Sequence, residues 1–277
     1  MAGNVTMTTP SGETYGLFEH LLKQAHLLIA GASGSGKSVL VNGLICTALY
    51  RFPFNARGGA QFILIDPKRV ELDPYRNLPH AIGYASEPQD MINLLRLATR
   101  ITEQRYREMQ AQGVRKYEGS DIFVVIEELA DLMLTNRREV QPLIQRLCQL
   151  GRACRVRVWM VTQTPIVKVI PTEIKVNADG IVALRTRSAQ DSRNIIGHNG
   201  AELLPRYGEC LYYSPDFMTT RHFEVPYVDE AEQDRLIKHW EAQARKPIQA
   251  RPDPLPMVTE QITEPRRGFI KRLFERR

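Results

Sequence analysis

The sequence predicts an α/β fold in which helices flank a mostly parallel central sheet. Short apolar segments alternate with longer segments of helical periodicity, which is typical of parallel strands joined by crossover helices. A glycine-rich octapeptide joins the first apolar run to the first helical segment. The chain has 277 residues, of which 43% are hydrophobic, so it is long enough to bury a sizeable core.

The elements are predicted in order along the chain. Residues 4–9 and 13–17 flank the turn sequence Pro10-Ser11-Gly12 and predict a small N-terminal hairpin. After it, apolar runs predict strands and stretches of helical period predict helices. The predicted strands are residues 27–30, 61–65, 122–126, 156–162, 181–184, 209–213 and 221–225, and the predicted helices are residues 39–45, 89–112, 139–149 and 229–244.

The octapeptide has the spacing of a phosphate-binding loop. Its glycines let the backbone approach phosphate oxygens closely, and the positive end of the following helix also favours phosphate. Lys37 would reach the outer phosphates and Ser38 would be a ligand of Mg²⁺. The pattern therefore predicts that the chain binds ATP or GTP. The loop consists of Gly31, Ala32, Ser33, Gly34, Ser35, Gly36, Lys37 and Ser38.

Two carboxylates follow the apolar strand 122–126. A buried strand that delivers acidic residues at its carboxyl end is where a phosphate-loop enzyme holds Mg²⁺ and polarises water. We assign Glu127 to the metal shell, through water, and Glu128 to activation of the nucleophilic water. In the alternative interpretation, both acids are exposed and open a helix that runs through Leu129.

Gln163 and Arg152 complete the candidate catalytic set. Gln163 stands at the tip of the strand 156–162 and is a candidate sensor of the terminal phosphate. Arg152 lies between a helix and that strand, where its guanidinium group could complete the site of a neighbouring subunit.

With these motifs in order, the sequence resembles the motor domain of the FtsK/SpoIIIE double-stranded DNA translocases, within the FtsK–HerA group of hexameric ATPases. The resemblance runs from residue 25 to residue 240. It implies a RecA-like motor that hydrolyses ATP with Mg²⁺, forms a ring around duplex DNA with six subunits expected, and steps along it with little sequence specificity. Arg152 falls where the family has its arginine finger. Further matching motifs are Ile65-Asp66-Pro67-Lys68, Leu78-Pro79-His80, Ile174-Lys175-Val176-Asn177, Asp191-Ser192-Arg193 and Gly200-Ala201-Glu202-Leu203-Leu204.

The resemblance also implies four basic positions that contact the DNA backbone. Two are present, as Lys175 and Arg193, and two are replaced, by Thr164 and Ala189. Nearby basic residues could substitute for them or could be solvated charges. These are Lys168, Arg185 and Arg187.

The metal site departs from the family pattern as well, because Glu127 stands where the family has Asp. One extra methylene moves the carboxylate by roughly 1.5 Å. Slower hydrolysis or a compensating metal geometry would follow.

Four segments are expected along the chain. Residues 1–24 form the hairpin segment, residues 25–245 the RecA-like motor domain, residues 246–265 a proline-rich linker, and residues 266–277 a basic amphipathic tail. The tail carries +5 of the net charge of +6. It is interpreted either as a solvated end or as a docking helix for DNA, an anionic surface or a partner.

Composition restricts the class of protein further. No apolar stretch approaches the roughly 20 residues that span a bilayer, and no signal pattern opens the chain, so a cytoplasmic protein is expected. The chain also lacks the family's membrane-spanning N-terminus and its winged-helix module, which leaves the expectation of a minimal motor. The four cysteines have no ligand spacing and are expected to be buried or free thiols.

Three alternatives remain open from the sequence. The motor could serve as a conjugative coupling ATPase or as a viral genome-packaging ATPase of the same fold group. The chain could be a weakly hydrolysing, nucleotide-dependent DNA clamp, because of Glu127 and the reduced basic character of the DNA-contacting loops. An AAA-type protein unfoldase is the least favoured, since the motifs above follow the FtsK order.

Overall fold

The chain folds around one large sheet with a small hairpin beside it. The computed structural model describes residues 6–8, 14–54, 59–217 and 219–244. The hairpin pairs β1 (Thr6–Thr8) with β2 (Thr14–Gly16) in antiparallel register. The strands of the large sheet are β3 (His26–Ala30), β4 (Ala60–Ile65), β5 (Ala81–Ala85), β6 (Asp121–Ile126), β7 (Val156–Thr162), β8 (Gly180–Ala183), β9 (Glu209–Ser214) and β10 (Thr219–Glu224).

The large sheet has the order β10-β9-β8-β3-β7-β6-β4-β5. All pairs from β8 to β5 are parallel, whereas β9 pairs antiparallel with both β8 and β10. The inner strands β3, β4 and β6 are buried at every residue, because helices cover both faces of a parallel sheet. The mostly parallel sheet predicted from the sequence is thereby confirmed.

Helices lie on both faces of this sheet. Successive strand residues point to opposite faces, so Leu27 and Ile29 belong to one apolar core and Leu28 and Ala30 to the other. The helices are α1 (Leu17–Lys23), α2 (Lys37–Arg51), α3 (Pro88–Gln112), α4 (Leu129–Thr135), α5 (Arg137–Cys154), α6 (Thr172–Lys175), α7 (Ala189–Ile196) and α8 (Glu230–Ala244). The core with Leu27 and Ile29 includes the apolar sides of α1, α2 and α8, and the core with Leu28 and Ala30 includes those of α3, α4, α5, α6 and α7.

Several short elements were not expected from the sequence. The edge strand β5 reads Ala-Ile-Gly-Tyr-Ala and is only partly buried, so it lacks a continuous apolar run. Helices α1, α6 and α7 span only 7, 4 and 8 residues, too few for a clear helical period. The predicted linker 246–265 and tail 266–277 lie outside the described residues.

Two further properties concern the described part of the chain. None of its helices combines the length and the apolar character that crossing a membrane requires. The four cysteines are buried free thiols, as expected from their spacing.

Candidate functional site

The glycine-rich loop connects the end of β3 to the start of α2. Gly31 donates a backbone hydrogen bond to Thr162 at the end of β7 (3.3 Å), and Ala32 donates one to Arg185 just beyond β8 (2.8 Å). Gly34 and Gly36 have φ values of 70° and 94°, in the left-handed region that glycine adopts without strain. The sequence therefore folds here into a loop held from both neighbouring strands.

Lys37 is the first residue of α2, and its ammonium group folds back over the loop. Its Nζ donates to the carbonyl oxygens of Gly31 (2.9 Å) and Ala32 (2.7 Å). Burial lowers the pKa of Lys37 to about 8, although the carboxylates of Glu128 and Glu127 oppose that shift. With Ser38 in the first turn of the same helix, the loop presents a cation, a hydroxyl and helix N–H groups to an anion.

The two predicted acids lie at the same edge of the sheet, at the end of β6. Only β7 separates β6 from β3, so Glu127 and Glu128 are close to the loop. Both residues are buried, with exposures of 3% and 4%. The alternative interpretation is right that a helix begins at Leu129, since α4 does, but it is wrong that the acids are exposed.

Glu128 is fixed by four hydrogen-bond donors. Its Oε1 accepts from Thr162 Oγ1 (2.7 Å), Gln163 N (3.2 Å) and Ala130 N (3.4 Å). Its Oε2 accepts from Lys68 Nζ at 3.2 Å. The carboxylate is thus held between the tip of β7 and the start of α4, in one orientation.

Glu127 is buried but poorly satisfied. Its Oε2 has no hydrogen-bond partner among the described residues and lies 3.9 Å from Lys68 Nζ. Burial raises the pKa of Glu127 to about 7, although the ammonium group of Lys68 opposes the shift. A buried oxygen without a partner is costly, so this carboxylate is suited to a water molecule or a cation.

The residues present fit Mg²⁺. Its preferred ligands are oxygens, several of them from water and phosphate, and Ser38 and Glu127 would supply the protein's share. No cluster of three or more His, Cys, Asp or Glu side chains able to hold a metal occurs in the described ranges.

Lys68 belongs to the site but was not assigned a role from the sequence. It follows β4, and its ammonium group contacts both glutamates, whose negative charges raise its pKa despite the opposing effect of burial. Asp66 shapes the loop that carries Lys68 by accepting backbone N–H groups. The donors are Lys68, Arg69, Val70 and Leu72. No local sequence signal identifies Lys68, because its place beside the glutamates depends on β4 and β6 being parallel neighbours whose carboxyl ends meet.

In the structure, Gln163 lies beside the two glutamates, whereas Arg152 does not contact them. Gln163 is joined to Glu128 through its backbone N–H, beside the candidate site. The side chain of Arg152 is 69% exposed on α5 and forms an ion pair with Asp179. Arg152 is therefore outside the network of Glu127 and Glu128 within one subunit.

The five basic candidates fall into two groups. Lys175 Nζ donates to the carbonyl oxygen of Asn194 (3.1 Å) and is partly buried, which lowers its pKa. Arg193 immediately precedes Asn194 in α7. It is exposed and donates to Asn199 Oδ1 (2.6 Å). Lys168 is exposed in the segment before α6. By contrast, Arg185 and Arg187 line a cavity of about 370 Å³ together with residues 32–35 of the phosphate loop.

Comparison with known proteins supports the resemblance drawn from the motifs. Residues 9–122 match the FtsK/SpoIIIE family. The chain is 37% identical over 242 residues to DNA translocase FtsK of Chlorobaculum tepidum, covering 80% of this chain and 30% of that protein. It is 32% identical over 292 residues to DNA translocase FtsK of Rickettsia bellii, covering 90% and 38%. The chain thus spans less than two fifths of the length of either relative.

Solved structures share the fold. The monomer form of the pCW3 conjugation coupling protein TcpA with ATPγS superposes with a TM-score of 0.69 at 21% identity, over 86% of this chain and 71% of that one. The cytoplasmic domain of the type VII secretion ATPase EccC from Thermomonospora curvata gives 0.68 at 19% identity, over 85% and 30%. The fold is that of the phosphate-loop ATPases, and by its sequence matches the chain belongs to the FtsK/SpoIIIE family.

Proposed function

We propose that the chain is an ATP-driven motor that moves along double-stranded DNA as a ring-shaped oligomer, with little sequence specificity and with six subunits. The observation that carries this proposal is the buried pair Glu127 and Glu128, set beside a glycine-rich phosphate loop in a chain whose relatives are named DNA translocases. Phosphate loops occur in many proteins. Here two carboxylates end β6, which only β7 separates from the strand that carries the loop, and this arrangement is suited to hydrolysis.

In this proposal the loop from Gly31 to Ser38 binds the phosphates of ATP. Lys37 leaves the carbonyl oxygens of the loop and neutralises the outer phosphates, and Ser38 and Glu127 hold Mg²⁺. When bound, Mg²⁺ neutralises charge on the phosphates and helps to align them. The unsatisfied Oε2 of Glu127 supports this assignment.

Glu128 orients the attacking water and accepts its proton. Its fixed carboxylate supports the role, because a general base must be held within hydrogen-bond reach of the proton. The Gln163 side chain, at the tip of β7, senses the terminal phosphate. Arg152 acts in the neighbouring subunit, which its exposure on α5 supports.

The DNA contacts are assigned to Lys175 and Arg193, with Lys168 nearby. The bond from Lys175 to Asn194 joins α6 to α7, which carries Arg193, so these two residues belong to one surface. Contacts to phosphate carry no base information, so binding would depend steeply on salt and little on sequence. Arg185 and Arg187 lie beside the phosphate loop, which favours a role toward the nucleotide.

The proposal is tested by measuring ATP hydrolysis with and without duplex DNA. We expect duplex DNA to stimulate the parental chain, and Lys37→Ala to abolish the stimulated rate because the phosphates lose their buried cation. Lys238→Ala, at an exposed position on α8, is the matched control and should keep the parental rate. Parental hydrolysis by Lys37→Ala would show that the site is assigned wrongly.

A nucleotide-dependent DNA clamp is the second candidate. Glu127 in place of Asp favours it, as do Thr164 and Ala189 in place of basic residues. The same assay separates the two functions, because a clamp would bind DNA with ATP but turn over negligibly whether or not duplex DNA is present.

A further inference from the structure

We propose that the segment 205–208 forms a second half of the nucleotide site, in which Arg206 binds the phosphate chain and Tyr207 stacks on the base. The inference rests on one part of the proposed function, namely that the phosphate loop holds a nucleotide. It names residues that bind the nucleoside end of the ligand, for which no residue has been named above.

The strand order gives the direction of the nucleotide. The phosphate loop follows β3, which lies between β7 and β8, and the two glutamates come from β6, on the far side of β7. The phosphate that is hydrolysed therefore faces β7 and β6. The opposite end of the phosphate chain, with the nucleoside, faces β8 and β9. Residues 185–187 follow β8 and residues 205–208 precede β9.

The cavity on this side carries a strong positive charge. Arg185, Arg187 and Arg206 line it together with residues 32–35, and its volume is about 370 Å³. Their guanidinium groups make no hydrogen bond or ion pair with any side chain or backbone group in the part of the chain that the structure describes. The lining contains one carboxylate, Glu202, which accepts a hydrogen bond from Gly200 N at 2.8 Å. Three guanidinium groups against one carboxylate favour an anion with several oxygens, such as phosphate.

Arg206 and Tyr207 lie against the glycines of the loop. The Nη2 atom of Arg206 is 3.7 Å from the point where a Cβ on Gly34 would stand, and the Cβ of Tyr207 is 3.8 Å from the corresponding point at Gly36. A phosphate cradled by the backbone of residues 34–36 would therefore be within reach of the Arg206 guanidinium group.

Tyr207 supplies an aromatic surface next to this cavity. It is 68% exposed, although a ring of this size is usually buried at least in part. Its neighbours in residues 205–208 are exposed as well, so space for a flat ligand is open. Stacking on such a ring tolerates any base, because every base has a π-face. We therefore infer that Tyr207 contributes affinity for the nucleoside without selecting its base.

The test measures the binding of ADP and of inorganic tripolyphosphate by calorimetry, with Mg²⁺ present. We expect Arg206→Ala to weaken both ligands about tenfold, since a charged hydrogen bond to phosphate is lost. We expect Tyr207→Ala to weaken ADP about tenfold and to leave tripolyphosphate unchanged, because only ADP has a base. Arg235→Ala, an exposed arginine on α8, is the control and should bind both as the parental chain does.

Parental ADP affinity in Arg206→Ala or in Tyr207→Ala would overturn the inference. So would an Arg206→Ala variant that keeps its nucleotide affinity but loses binding to duplex DNA, because the guanidinium groups would then serve DNA. The outcome is separable from that of the proposed function. If Arg206 and Tyr207 control ADP binding but duplex DNA never stimulates hydrolysis, the inference holds and the proposed motor function is wrong. If DNA stimulates hydrolysis and neither variant changes ADP binding, the reverse holds.

Discussion

Glu128 shows how a single residue joins the elements of the site. Its carboxylate accepts from β7 through Thr162, from the turn beyond it through Gln163, and from the β4 loop through Lys68. The ends of two other strands thus fix one side chain. A general base held in this way loses little conformational entropy when the substrate binds, and this favours catalysis.

Replacing Glu128 by Gln should separate binding from hydrolysis. The amide keeps the size of the side chain and an acceptor oxygen for Thr162, but it cannot take a proton from water. We expect ATP hydrolysis to fall at least about 100-fold while ATP affinity stays within about threefold. Steady-state hydrolysis and equilibrium binding of ATP measure the two effects. Glu232→Gln, on α8, should change neither, and a Glu128→Gln variant with the parental rate would remove Glu128 from the mechanism.

Residues with a local signal could be predicted, and residues placed by distant partners could not. The loop spacing identified Lys37 and Ser38, and a run of apolar residues ending in two acids identified Glu127 and Glu128. Only the strand order brings Lys68 and Arg206 to the site. Lys68 is at least 59 positions in sequence from the glutamates that it contacts. Arg206 is about 170 positions from the phosphate loop that it faces. From the sequence, Arg185 and Arg187 are either substitute DNA contacts or solvated charges, and only the fold shows that they line a cavity together with residues 32–35 of the phosphate loop.

At the scale of elements, the site results from parallel strands whose carboxyl ends share one edge. In that arrangement β3, β4, β6 and β7 each contribute one segment to the site. The loop after β3 is tightly packed at Gly31. A Cβ on Gly31 would stand 2.7 Å from Ser35 Oγ and 3.0 Å from Leu184 Cβ, closer than packed atoms approach.

Gly31→Ala should therefore distort the loop. We expect ATP affinity to fall about tenfold and stability to fall by about 1–3 kcal/mol, the usual cost of overpacking. Nucleotide titration and denaturant unfolding measure these changes. Gly16→Ala is the matched control, because a Cβ there would meet nothing within 4 Å and both properties should stay at parental values. Unchanged ATP affinity in Gly31→Ala would contradict the close packing of the loop.

The elements that could be predicted are those with enough length or burial. Strand β7 was predicted with its observed bounds, because it is apolar apart from Arg157 and Thr162. Helix α3 was predicted to within one residue, because a 25-residue helix repeats its period many times. The short α6 and α7 carry too few turns to give a period. Strand β5 pairs only with β4 at the edge of the sheet. Because it is only partly buried, its sequence contains no continuous apolar run that would identify it as a strand.

At the scale of the whole molecule, acid sensitivity is expected from a buried histidine. His80 is fully buried, neither ring nitrogen has a hydrogen-bond partner among the described residues, and its ring packs edge-on against Trp240 at 4.8 Å. Burial lowers the pKa of His80 to about 3. The unfolded chain takes up a proton near the ordinary value of 6.5 and the folded chain does not, so stability falls as the pH falls below that value.

His80→Leu should reduce this loss. Between about pH 7.5 and about pH 5.5, the parental chain should lose about 1.4 kcal/mol more of its unfolding free energy than the variant does. Urea unfolding of both proteins at each pH measures the difference, and other titrating groups cancel in the comparison. Equal losses in the two proteins would mean that His80 titrates in the folded chain as it does in the unfolded one.

Assembly is tested by mixing two inactive variants. If Arg152 completes the site of a neighbour, Lys37→Ala and Arg152→Ala damage opposite sides of each interface. Mixing equal amounts, with subunit exchange, should then restore about a quarter of the parental rate, because that share of interfaces keeps both intact partners. Hydrolysis by the mixture is compared with that of each variant alone. A mixture that stays inactive although the subunits exchange would contradict a role for Arg152 in the site of a neighbouring subunit.

The proposed movement along duplex DNA can be measured by the displacement of a third strand. A labelled oligonucleotide bound as a triplex to duplex DNA is removed by a motor that travels along the duplex. We predict that the parental chain displaces it with ATP, and that neither the parental chain with a nonhydrolysable ATP analogue nor Glu128→Gln with ATP does so. DNA-stimulated hydrolysis by the parental chain without displacement of the third strand would contradict the claim.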